Sequence, residues 1–196
     1  MMRITSKKPC DWRDLQNWVA LLFNQAGYAA TSPKTIPLVR GKVEVDVFVV
    51  ANHEIFNTII CECKFWNTPV SQEKVHAFRT IVQDSGAMLG IIISKAGFQK
   101  GAIEAAQNSN VILKTWEEFQ EILLIPWTQK MIRRIREISY PLSVYTDPLD
   151  CDKQLKQLNY FDYKKINEKY VEGYISGRWL IDVMSKEYIL KTDYGV

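Results

Sequence analysis

Asp46, Glu62 and Lys64 stand in segments whose neighbours are apolar, Val43-Glu44-Val45-Asp46-Val47-Phe48 and Ile59-Ile60-Cys61-Glu62-Cys63-Lys64. Charged groups in such strands are costly unless they are paired or bound to a cation. If the two segments pair as a hairpin, Asp46 and Glu62 share a face near one end. Lys64, two residues past Glu62, shares it too, because strand side chains repeat every second residue. Two readings of this spacing stand side by side. One is a plain cross-strand ion pair between a carboxylate and Lys64. The other is chemistry. A hard divalent cation takes carboxylate oxygens, and Mg²⁺ takes only one or two of them. Such a cation polarises a phosphodiester and lowers the pKa of a bound water. A lysine beside it orients the attacking water or stabilises the developing negative charge. Asp, Glu and Lys so arranged are the parts of a metal-dependent phosphodiesterase.

The elements that must position these residues are legible from periodicity. Trp12, Leu15, Val19, Leu22, Phe23 and Ala26 recur at helical spacing, with Asp11 as N-cap and Gly27 as stop. Residues 31–37 carry Pro33 and Pro37 and read as a loop. Residues 43–50 alternate as one strand, with Val43, Val45 and Val47 on one face and Glu44, Asp46 and Phe48 on the other. A turn at 51–54 leads to a second, antiparallel strand at 58–65. There Ile59, Cys61, Cys63 and Phe65 share one face, and Ile60, Glu62 and Lys64 the other. Ser71 caps a helix to about residue 84, with Val75, Phe78, Ile81 and Val82 inward and Gly86 ending it. Residues 88–94 form a continuous apolar run, the pattern of a strand buried on both faces. A helix with small residues follows at 98–108, then a short strand at 111–113. Thr115-Trp116-Glu117-Glu118 is a capping box that opens the next helix. The order α-β-β-α-β-α-β-α predicts an α/β fold, a mixed sheet with helices on both faces.

The core domain is expected to end near residue 125, giving domains 1–125 and 126–196. Beyond Pro126, residues 127–139 read as a helix carrying Lys130, Arg133, Arg134 and Arg136. Residues 140–148 read as a linker. The rest is rich in Tyr and Lys, with one helix expected at 152–170.

Composition bounds the class. The chain has 196 residues, 47% hydrophobic and 24% charged, the mix of a globular protein and not of a disordered or collagen-like one. Four cysteines are too few for a disulfide scaffold. A net charge of +3 makes no strong demand for a polyanion. No apolar stretch follows the first charged residues, so no signal peptide is expected. The longest apolar run, 87–93, falls far short of the roughly 20 residues of a membrane span. The expectation is a cytoplasmic protein with no membrane partner and with Cys10, Cys61, Cys63 and Cys151 reduced. No phosphate-binding loop, dinucleotide fingerprint or nucleophile elbow occurs, so any NTP-driven motor would be another chain.

Asp46 followed by Glu62-Cys63-Lys64 on the next strand resembles the Asp…Glu-x-Lys signature of the PD-(D/E)XK nuclease superfamily. More of the chain is similar to one branch, the Mrr-like restriction endonucleases. The run from Trp12-Arg13-Asp14-Leu15 to Gly27-Tyr28 resembles their opening helix. So do Phe78, Gly86-Ala87, Ile91-Ile92-Ile93-Ser94, Gly97-Phe98 and the small-residue helix around 102–106. The likeness covers roughly residues 11–125. It implies a restriction-endonuclease-like three-layer αβα core with a central mixed β-sheet, followed by a small, mainly helical C-terminal appendage. It implies that Asp46 and Glu62 hold Mg²⁺, with Mn²⁺ as a substitute, joined by the backbone carbonyl of Cys63. Lys64 would position the water or stabilise the transition state. Relatives often carry a Glu on the first helix where this sequence has Gln16, which puts a second metal in question. Glu44, on the Asp46 face, either compensates or is a solvated edge residue.

The remaining chemistry-bearing residues have ordinary readings beside functional ones. Cys61 and Cys63 have no second pair at zinc spacing and point into the core. His76 is a surface or packing histidine, and Trp66 and Trp116 are packing aromatics. Ser71, Gln72, Lys74 and Arg79 start or flank a helix whose N-terminus favours a phosphate; a solvated helix face is the alternative. Lys130, Arg133, Arg134 and Arg136 put four cations within seven residues, a backbone-contact face or a solvated one.

The function expected is therefore a Mg²⁺-dependent DNA endonuclease of restriction or defence. One site cuts one strand, so double-strand cleavage would favour a homodimer. A separate motor, sensor or specificity protein is a further expected partner. Two alternatives remain: a catalytically silent DNA- or protein-binding module of the same fold, and a nuclease for RNA or structured DNA.

Overall fold

The computed structural model describes residues 3–51 and 58–139. The chain divides into two compact units, 1–128 and 129–196. The elements in order are α1 (Trp12–Gln25), β1 (Ala29–Thr31), β2 (Lys34–Pro37), β3 (Lys42–Val45), β4 (Val47–Val50), β5 (Thr58–Lys64), α2 (Gln72–Ser85), β6 (Leu89–Ser94), α3 (Lys100–Ala106), β7 (Val111–Thr115) and α4 (Trp116–Ser139). No helix among the described residues is long and apolar enough to cross a membrane.

Five strands form a mixed sheet in the order β1-β4-β5-β6-β7. β1, β4 and β5 pair antiparallel, and β5, β6 and β7 pair parallel. Helices cover both faces, giving the expected αβα layers. On one face Leu15, Val19, Leu22 and Phe23 of α1 meet Trp116, Phe119 and Leu123 of α4 over Val47, Val49, Cys61, Cys63, Ile91 and Ile93. On the other face Val75, Phe78 and Val82 of α2 and Ala102 and Ala105 of α3 cover Ile60, Ile92 and Val111. Each large aliphatic or aromatic side chain so buried contributes about 1.5–3 kcal/mol. β6 is buried on both faces, as its uninterrupted apolar run predicts.

Local signals act where expected. The Asp11 carboxylate accepts the Asp14 amide at 2.7 Å and caps α1. Gly86 ends α2 in the left-handed conformation at φ 68°. At the start of α4 the capping box is reciprocal: Glu118 Oε2 accepts the Thr115 amide at 2.8 Å, and Thr115 Oγ1 accepts the Glu118 amide at 3.3 Å. Gly90 lies where α2 crosses β6. A Cβ there would stand 2.5 Å from Val82 Cγ2 and 2.7 Å from Phe78 Cε1. Gly90→Ala is accordingly expected to destabilise the fold by about 1–3 kcal/mol, the cost of overpacking a dense core; a chemical denaturation midpoint equal to wild type would contradict it.

Five expectations need correction. The alternating stretch 43–50 is two strands, not one. β3 pairs with β2 in a separate two-stranded sheet, and β4 with β1 and β5. The break is a bend at Asp46. It reverses the inward face, so Val45 packs in the α2/α3 core and Val47 in the α1/α4 core. The stretch 31–37 is not a loop throughout, because Thr31 ends β1 and Lys34–Pro37 forms β2. Pro37 closes that strand, a position where the missing N–H does no harm. Pro126 does not separate two helices. α4 runs through it, and the loss of one backbone hydrogen bond is outweighed by packing on the sheet and by Trp127 Nε1–H donating to Gln25 Oε1 at 2.8 Å. Trp12 does not belong to the buried stripe of α1; it is 54% exposed, with the Arg13 guanidinium 5.0 Å over its ring. The helix expected at 98–108 is shorter, Lys100–Ala106. The turn beyond Ala51, the linker at 140–148, the helix at 152–170 and Cys151 lie outside the described residues.

Candidate active site

β5 builds half of the site. Its alternation sends Cys61 and Cys63 into the α1/α4 core, and Glu62 and Lys64 to the opposite face, beside α2. Burial pushes the Cys61 and Cys63 thiols up, so they are core groups and not nucleophiles. Glu62 and Lys64 are partly exposed, 24% and 19%, and pair with each other through Oε1 and Nζ.

Asp46 supplies the other half from the bend between β3 and β4. Its Oδ2 accepts the backbone N–H of Cys63 at 2.7 Å. Its Oδ1 accepts Nε2–H of Gln16 at 2.6 Å. Gln16 is itself only 8% exposed on α1, so the contact joins the first helix to the bend between β3 and β4 across 30 residues of sequence. The Asp46 carboxyl is pushed up from 3.8 to about 6. Burial is the main cause and the negative charge of Glu62 the second, opposed by the Cys63 amide, the Lys64 ammonium and the Gln16 amide. Asp46, Glu62 and Lys64 thus form one electrostatic cluster. The three side chains come together as the spacing predicts, although the bend and not a shared strand face brings Asp46 to the other two.

Glu62 and Lys64 of this cluster line a cavity of about 210 Å³. Val70, Phe78 and Ile92 wall it, and Glu62, Lys64 and Lys74 supply its charges. A phosphate group entering here would meet two ammonium groups and low-dielectric walls that strengthen the attraction.

The donor set suits a hard cation. The Asp46 carboxylate is desolvated and faces the negative charge of Glu62, a setting a cation would relieve; Mg²⁺ is satisfied by one or two carboxylates, with water completing its shell. The residues that would hold it are Asp46 and Glu62, with the Cys63 carbonyl beside them. Among the described residues no group of three or more His, Cys, Asp or Glu side chains that could hold a metal occurs. Glu44 is exposed on β3, opposite Thr35, and does not extend the cluster.

Other predicted residues fall in several places. Lys74 is exposed at the cavity. Arg79 is half-buried and donates from Nη1 to the Ala105 carbonyl at 2.9 Å, tying α2 to the last turn of α3. Ser71 is the N-cap of α2 but makes no side-chain capping bond, and Gln72 Nε2 lies 3.1 Å from His76 Nε2. Lys130, Arg133 and Arg134 are exposed and belong to the second compact unit. Trp116 packs as expected, edge-on to Trp18 and stacked on Phe119. Trp66 does not. It is 39% exposed and belongs to neither core, and the Lys64 ammonium sits 5.0 Å over its ring. Only its position two residues past Lys64 hinted at this.

Among curated proteins none matches the chain. Two solved structures are similar in fold. One is the crystal structure of a protein of unknown function, AF1548, 22% identical, with a TM-score of 0.47 and 59% of this chain and 66% of that one covered. The other is the MspJI restriction endonuclease in complex with a 27-mer oligonucleotide, 16% identical, with a TM-score of 0.35 and 61% of this chain covered. The chain spans just under two thirds of the first and 27% of the second. The family model described as restriction endonuclease, Mrr_cat, matches residues 8–123. That match takes in α1, the whole mixed sheet and the Asp46–Glu62–Lys64 cluster, and by it the chain belongs to the Mrr catalytic-domain family of restriction endonucleases.

Proposed function

We propose that this chain is a Mg²⁺-dependent DNA endonuclease that hydrolyses phosphodiester bonds in defence against foreign DNA, and that it works in the cytoplasm. The observation that carries the reading is the gathering of Asp46, Glu62 and Lys64 in one electrostatic cluster, of which Glu62 and Lys64 line a cavity together with Lys74. The family's description as restriction endonucleases supports DNA as the substrate. Residues 1–125 form the nuclease domain and residues 126–196 the appendage.

A bound cation would supply Lewis-acid activation of the phosphate and of water. The chain's own residues do the rest. Gln16 and the Cys63 amide fix the rotamer of Asp46, so both of its oxygens are aimed before any ligand arrives. Glu62 holds the Lys64 ammonium in place until a phosphate competes for it. Lys64 then faces the charge that grows on the phosphoryl oxygens. Lys74 draws the backbone into the cavity, and Arg133 and Arg134 add sequence-independent backbone contacts.

The test is cleavage of supercoiled plasmid by the purified chain with Mg²⁺, Mn²⁺ or EDTA. Nicking or linearisation with either metal and none with EDTA is expected. The ratio of linear to nicked product reads out whether two sites act together, as in a homodimer. Metal-independent cleavage would refute the assignment.

One observation favours a second reading, a silent binding module: the neutral Gln16 amide occupies one Asp46 oxygen. A melting temperature that does not move with millimolar Mg²⁺ or Mn²⁺ would select it.

A further inference from the structure

Beyond Lys64 the chain leaves β5 through Phe65, Trp66 and Asn67. Trp66 is a large indole, 39% exposed, with no share in either core. Its ring lies 5.0 Å below the Lys64 ammonium. The neighbouring strand holds this exit in place. The Lys95 amide donates to the Lys64 carbonyl at 3.0 Å. The Lys95 ammonium donates to Asn67 Oδ1 at 2.9 Å and stands 4.4 Å over the Phe65 ring. The result is an exposed indole beside the Lys64 ammonium, directly after β5, in an exit segment that Lys95 anchors through Asn67 and Phe65.

We propose that Trp66 is a specificity-determining residue that stacks on an unpaired base next to the scissile phosphate. The preferred substrate is then DNA with a single-stranded, gapped or extruded nucleotide at the cut. The proposal rests on the nuclease reading of the Asp46–Glu62–Lys64 site and names its substrate class. The geometry carries it in three steps. A phosphate held by Lys64 puts the attached nucleotide beside the ring, since the ammonium that holds it stands 5.0 Å from the ring centroid. Alternating aromatic faces and ammonium groups are what single strands bind, because every base offers a π-face and every step a phosphate. A base inside a duplex has both faces covered by its neighbours and offers only its edges in the grooves, so an indole face gains nothing from it. The Asn67–Lys95 bond spares the loop an ordering cost on binding.

Binding is measured in EDTA, without cleavage, by fluorescence anisotropy. The probes are a fluorescein-labelled DNA strand of about 12 nucleotides, within the roughly 4–16 covered by such sites, and the same strand in a blunt duplex. The full-length chain is compared with Trp66→Ala and Trp66→Phe. Trp66→Ala is expected to weaken single-strand binding about tenfold, the loss of one stacked base, and to leave duplex binding unchanged. Trp66→Phe, which keeps a π-face, is expected to restore most of the loss. Equal weakening on strand and duplex would mean that Trp66 acts only through the Lys64 charge, and would overturn the proposal. So would an unchanged affinity for the strand. Either result in a protein that still cuts plasmid with Mg²⁺ leaves the nuclease reading standing. Failure of the wild-type chain to bind either probe or to cut plasmid overturns both.

Discussion

Lys64→Ala is expected to lower metal-dependent plasmid cleavage by about 10²–10³, the usual cost of removing one preorganised donor aimed at developing charge. The fold should survive. Lys64 ends β5 at the rim of a cavity, and its side chain is not part of either core. Its local effect is electrostatic. The ammonium pairs with Glu62 and lowers the Asp46 pKa, so its removal leaves two carboxylates facing each other and pushes the Asp46 carboxyl further up. The variant should therefore need a higher pH than wild type to bind Mn²⁺, a readout independent of turnover. Full cleavage by a purified, folded Lys64→Ala protein would remove Lys64 from the chemistry and with it the present assignment.

Asp46→Asn is expected to abolish cleavage and at the same time to raise stability at neutral pH. Asp46 has a pKa of about 6 in the fold against 3.8 for an ordinary carboxyl. The folded state thus holds its proton more tightly than the unfolded one. Stability from this group is complete below about pH 4 and is lost as pH rises through about 6. Above that, the protein carries the cost of a half-buried carboxylate beside Glu62, and asparagine does not. The amide can be accommodated: its oxygen accepts the Cys63 N–H, and a flipped Gln16 presents its oxygen to the new NH₂. Asp46 is partly solvated, so the gain is discounted. A rise in melting temperature of about 2–4 °C at pH 7.5 is expected, what roughly 1 kcal/mol produces in a chain of this size. The difference should close by about pH 4, where both side chains are neutral. Scanning calorimetry at the two pH values decides it, and a variant less stable than wild type at pH 7.5 would contradict the electrostatic account. Mg²⁺ should raise the wild-type melting temperature at neutral pH and leave Asp46→Asn unmoved. For the same reason wild-type cleavage should fall as pH drops below about 6, where a proton competes for Asp46.

These two residues also mark where sequence reading succeeds and where it stops. Strictly local signals were legible. The alternation of β5 placed Cys61 and Cys63 in the core and Glu62 and Lys64 on the opposite face, because period 2 is a property of the strand itself. The apolar run of β6, the Asp11 cap and the Thr115–Glu118 capping box are likewise read within a few residues. Together with the Asp…Glu-x-Lys spacing, they were sufficient to place the fold and to name Asp46, Glu62 and Lys64.

Long-range partners settled the rest. Nothing in Val45-Asp46-Val47 distinguishes a continuing strand from a bend; two valines of equal apolarity face opposite cores because β3 found β2 and β4 found β1 and β5. Pro33 does break the chain, at the bend between β1 and β2, but Pro37, read as a breaker, and Pro126, read as the domain edge, lie inside a strand end and a helix that tolerate the missing N–H. Arg79 read as a free cation until Ala105 gave it a carbonyl. Trp66 read as packing until the sheet left it in water beside Lys64. Periodicity and caps depend on neighbours in the chain and are written in it. The pKa of Asp46, its contact with Gln16 and the cavity beside Glu62 depend on neighbours in space, and only the folded arrangement supplies those.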